Sequence, residues 1–152
     1  MFKKMFLILT LLLTFSLSTL NAEESNLYPV GEDETFLLDL DSLTPINPDD
    51  SKKMTSFTYQ IHLKSNPTND VSIITTIEAR PQAETHGLIP LGFDIQILSM
   101  RTSNKNIPIS SPSAKQFTPL EKAYSKVQLA HLLAYSEMID RGYTFKPLEA
   151  NF

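Results

Sequence analysis

The residues of this chain best suited to proton transfer or metal ligation are three histidines, His62, His86 and His131. No two of them stand at an HxH, HxxxH or HExxH interval, so their spacing assembles no zinc site. His62 falls on the wet side of an alternating segment, and His86 sits in a loop just before Gly87. His131 lies among apolar residues, the setting of a hydrogen-bonded structural histidine or, more sharply, of a pH-sensitive latch. A Ser-His-Asp triad is recognised by geometry and can assemble from distant residues, but many serines beside three histidines single out no candidate. There is no GxSxG elbow, P-loop or GxGxxG, and the absence of cysteine excludes thiol catalysis and Cys-based zinc sites. Asp39 and Asp41, with Glu32, Asp33 and Glu34 nearby, offer oxygen ligands for calcium, yet the DxDxDG-type loop is missing. The expectation is a non-enzymatic protein with no catalytic residue, cofactor or metal.

The elements that would position these residues are legible in part. "ETFLLDLDSL" (34–43) sets Phe36, Leu38 and Leu40 on one side and Leu37, Asp39 and Asp41 on the other, the pattern of a half-wet strand. "SFTYQIHLKS" alternates more cleanly, with Phe57, Tyr59, Ile61 and Leu63 inward and Thr58, Gln60, His62 and Lys64 outward. "NPTND" carries turn chemistry and "VSIITTIEAR" returns in phase, so 57–80 reads as a β-hairpin. "LGFDIQILSM" resumes as a strand, and 101–113 is a proline-broken loop with one short extended piece at Ile107–Ile109.

The stretch "EKAYSKVQLAHLLAYSEMIDRGY" (121–143) reads as a helix over about 119–141. Thr118, Pro119 and Glu121 form a capping-box pattern with proline at the first helical position, and Gly142 with Tyr143 suits a Schellman ending against Met138. Leu120, Ala123, Tyr124, Val127, Ala130, Ala134, Tyr135 and Met138 share one stripe, which can cover the inner face of a sheet. The expected fold is therefore α+β, a small antiparallel sheet of about four to five strands against one long C-terminal helix. Leu129, Leu132, Leu133 and Ile139 fall outside the stripe and call for a second surface, either the chain's own tail or another protein.

The chain opens with Lys3 and Lys4, an apolar run from Met5 to about Leu20, and Asn21-Ala22 before Glu23. That is the pattern of a cleaved secretory signal peptide, residues 1–22, and with no second apolar segment no stable membrane span follows it. The divisions expected are that signal, an acidic and flexible segment at 23–33, and a single domain at 34–152. The whole chain carries a net charge of −4, and since 1–22 holds two lysines and no acid, the remainder carries −6. No basic nucleic-acid footprint exists. Nine acids and no Lys or Arg fall within 23–50, an acidic flank on a mildly basic body.

These features suggest a bacterial periplasmic or secreted accessory module, of assembly-factor, co-sensor or immunity type, that binds another protein chain of the periplasm or envelope. Its contact residues would be Leu129, Leu132, Leu133 and Ile139, rimmed by Glu32, Asp33, Glu34, Asp39 and Asp41. The alternative is a carrier for a small apolar ligand held between sheet and helix, lined by Phe57, Tyr59, Phe93, Tyr124, Tyr135 and Met138. A pilus-type structural subunit is a more distant third.

Overall fold

A computed structural model of the chain describes residues 26–82, 92–104, 108 and 116–147. The signal segment, His86, Ile107 and Ile109 lie outside the described residues. Six strands form an antiparallel sheet in the order β1 (Leu27–Val30), β2 (Asp33–Ile46), β4 (Ser56–Lys64), β5 (Ser72–Pro81), β6 (Phe93–Thr102), β7 (Thr118–Pro119). One long helix, α1 (Ser125–Asp140), packs on the sheet, and a two-residue parallel pair joins β3 (Lys53–Met54) to β8 (Thr144–Phe145). The fold is the α+β arrangement expected, with six strands in the main sheet rather than four or five.

Period-two alternation places the core. On β4, Phe57, Tyr59 and Ile61 are buried while Thr58, Gln60 and His62 on the other face are half-buried. In-register pairing stacks Tyr59 beside Ile77 and Ile77 beside Ile97, so neighbouring strands bring their apolar residues to one surface. Each fully buried Phe, Leu or Ile contributes roughly 1.5–3 kcal/mol of apolar transfer. The opposite face carries a polar lattice. Ser56 Oγ donates to Glu78 Oε1 at 2.7 Å and Gln96 Nε2 to Glu78 Oε2 at 2.8 Å.

Three local expectations need correction. Leu37, expected on the wet face of β2, is buried. The segment expected to be flexible is, from Leu27 onward, the edge hairpin β1–β2. β2 also runs on through Thr44 and Pro45, because its register shifts between Asp39 and Thr44 and Ser42 bridges the gap. The Ser42 hydroxyl donates to Asp39 O at 2.6 Å and accepts from Gln60 N at 2.7 Å.

The helix begins later than its capping pattern suggests. Thr118 and Pro119 are extended as β7, paired with Ile95 and Asp94 of β6, and a 3-10 turn at Leu120–Lys122 intervenes. Tyr124 occupies the N-cap without a side-chain hydrogen bond. From inside the helix the Gln128 side chain reaches back to the preceding turn, its Nε2 donating to Ala123 O at 2.8 Å. The far end is the Schellman motif: Tyr143 N donates to Met138 O at 3.0 Å, Gly142 N to Ile139 O at 2.8 Å, and Gly142 takes φ +89°.

That end is tied down by distant chain. Lys52 Nζ donates to Arg141 O at 2.9 Å, placing a cation at the negative end of the helix. Arg141 reaches Leu40 O at 2.9 Å, and Thr144 N and Lys146 N donate to Lys52 O and Met54 O.

Candidate functional site

His131 is wholly buried, and its ring nitrogens have no hydrogen-bond partner among the described residues. Its ring centroid lies 4.3 Å from that of Phe93, 5.7 Å from Phe57, 6.0 Å from Tyr59 and 6.2 Å from Tyr135. Burial among these rings pushes the imidazole down to about 4, so it is neutral near pH 7. The expectation of a hydrogen-bonded histidine thus fails; the ring serves as flat aromatic filling. The Tyr59 hydroxyl, also buried and unpartnered, is pushed up by the same desolvation.

On the opposite sheet face, His62 stands between Ser72 and Asp39 in the order of a hydrolase triad. Its Nδ1 is 3.5 Å from Ser72 Oγ and its Nε2 is 3.6 Å from Asp39 Oδ2. Both separations exceed the roughly 2.6–3.2 Å of a working nucleophile–base contact. Ser72 is only 4% exposed, and its own N–H is spent on Ser103 Oγ. Desolvation lowers the His62 pKa, against the opposing pull of Asp39.

The residues expected to meet a partner divide. Leu129, Leu132 and Ile139 are 40%, 58% and 48% exposed along the outer ridge of α1, whereas Leu133 is half-buried against the core. Glu32 shares a shallow depression with Leu129, Val30 and Lys126. Glu34 and Asp41 are exposed, and Asp33 opens β2 opposite Val30. Asp39 is engaged with His62, and Asp41 accepts a hydrogen bond from Asn26 N at 3.3 Å. Among the described residues of the tail, Phe145 stacks on Tyr135 at 5.8 Å, on the core side.

The concave feature of interest is a cleft of about 470 Å³ between the inner sheet face and the segment leading into α1. Ile61, Ile77, Ile95, Ile97 and Met100 form its floor, and Ala123, Tyr124 and Val127 its wall. Gln116, Thr118 and Lys122 stand exposed at its rim. The wall is held by the β6–β7 pairing and by Phe117, whose ring lies 3.7 Å beneath the Arg80 guanidinium. Of the six ligand-lining residues expected from the sequence, only Tyr124 borders the cleft; it is 87% exposed rather than part of the core stripe. Phe57, Tyr59, Phe93, Tyr135 and Met138 belong to the packed core.

Among the described residues no helix is long and apolar enough to cross a membrane, and no three His, Asp or Glu side chains cluster as metal ligands. The fold and site define a two-layer α+β protein with an apolar cleft at the sheet–helix junction. Comparison with family models, curated proteins and solved structures returned no match.

Proposed function

We propose that this is an exported, non-enzymatic binding protein that holds a small apolar molecule between sheet and helix. The observation that carries the reading is the cleft. Its volume of about 470 Å³ falls within the roughly 300–1,000 Å³ of small-molecule sites, and its floor is built from aliphatic side chains. The signal-like segment 1–22 would deliver the protein to the periplasm or beyond, where a soluble carrier for a poorly soluble compound has a use.

Replacing Ala123 by Trp should fill the cleft from its wall. The purified protein is expected to take up the neutral fluorescent probe N-phenyl-1-naphthylamine saturably, and Ala123→Trp to abolish uptake while retaining the circular dichroism of the parent. A parent protein without saturable uptake would remove the basis of this reading.

A second reading rests on the exposed ridge Leu129, Leu132 and Ile139, with Glu32 beside it. Three apolar side chains on the convex side of a helix suit contact with another protein chain.

A further inference from the structure

We propose that the cleft is selective for a single-chain anionic amphiphile, with its hydrocarbon on the sheet floor and its acid group at Lys122. This rests on the reading of the cleft as a small-molecule site and adds which end of the ligand is recognised, and by what.

The floor draws on β4, β5 and β6 along the pairing direction. Ile61 of β4 lies opposite Thr75 of β5, Thr75 opposite Met100 of β6, and Ile77 opposite Ile97. An aliphatic chain laid across these strands meets methyl and methylene groups along its length, with Val127 and Ala123 covering it from the helix side.

Thr75 in the floor apart, the exposed polar residues of the described lining lie along one border. Among the described residues, Lys122 is the only charged one lining the cleft, and no carboxylate does so. Gln96 also borders it, but its amide is turned to the other sheet face and committed to Glu78. Gln116 and Thr118 complete a rim whose groups can hydrogen-bond an acid without repelling it. A cationic head group would meet Lys122 and find no counter-charge. An alcohol would gain only neutral hydrogen bonds. Lys122 itself is exposed, and its apolar stem can lie along the mouth while the ammonium stays in water. The acid group would therefore sit at the surface with the chain inward.

Calorimetric titration with three ligands of equal chain length tests this: laurate, dodecanol and dodecyltrimethylammonium, each below its aggregation concentration. Laurate should bind tightest and the ammonium compound weakest. Because the ion pair is solvent-exposed, Lys122→Gln should weaken laurate by about threefold to fivefold and leave dodecanol unchanged. Lys122→Glu should reverse the order of laurate and the ammonium compound. Raising the salt should weaken laurate alone. Equal binding of all three ligands, or indifference of laurate to Lys122→Glu, overturns the acid-group assignment while leaving an apolar site standing. Failure of all three to bind overturns the site itself. Concentration-dependent dimerisation lost in Ala123→Trp, without ligand uptake, would assign the cleft to a second copy of the chain and overturn both.

Discussion

An imidazole whose two nitrogens find no partner among four aromatic rings behaves near neutral pH as a flat ring with the cost of desolvation already incurred. Its protonation is coupled to folding with a definite sign. The unfolded chain takes up a proton at the ordinary histidine value of about 6.5, while folded His131 resists until about pH 4. The unfolded state therefore binds more protons between those values. Stability is complete above the upper value and is lost as pH falls through the window, on the order of 3 kcal/mol in all. His131→Leu removes both unpartnered nitrogens and fills similar space. It should equal or exceed the parent in stability at pH 7 and lose markedly less on acidification to pH 4.5, as read by urea unfolding at the two pH values. The slope that remains has the same sign and belongs in part to His62, whose pKa burial also lowers.

At the scale of elements, the two ends of α1 follow different rules. Its C-terminus is set locally. Gly142 sits at φ +89°, and a β-carbon added there would meet only the Lys52 side chain, at 3.6 Å, an ordinary contact. Gly142→Ala should thus cost about 1–2 kcal/mol through backbone conformation alone, visible as a lower unfolding midpoint with unchanged denaturant sensitivity. This end was legible in the sequence because the Schellman motif needs only neighbouring residues. The N-terminus was not. Thr118 and Pro119 have the chemistry of a cap, but β6 competes for their backbone, and strand pairing overrides the local preference. The cleft was hidden for the same reason. A helix starting at 119 would have brought another turn and a half over the sheet, whereas one starting at 125 leaves a segment standing off Ile61 and Ile97. Alternation in β4 and β5 revealed which residues face inward, but not which of those the helix would leave uncovered.

For the molecule as a whole, the cleft and the outer ridge of α1 are separate surfaces and can be altered independently. Leu132, 58% exposed, tolerates a charge without disturbing the core, so Leu132→Glu should keep full thermal stability and unchanged ligand titrations. If the ridge serves a second protein, the same variant should lose a specific crosslink formed in living cells by the parent. Retention of that crosslink would exclude the ridge. The closing contacts of the fold carry another consequence. β8 joins Lys53–Met54 to Thr144–Phe145, and Lys52 caps the helix from about ninety residues away. The β4–β5 hairpin can form as soon as it emerges from a ribosome or a membrane pore, but the helix cannot be clamped until residues 144–146 have followed. For a chain threaded from its N-terminus, the hairpin therefore stands ready before the strand that clamps the helix to it has arrived.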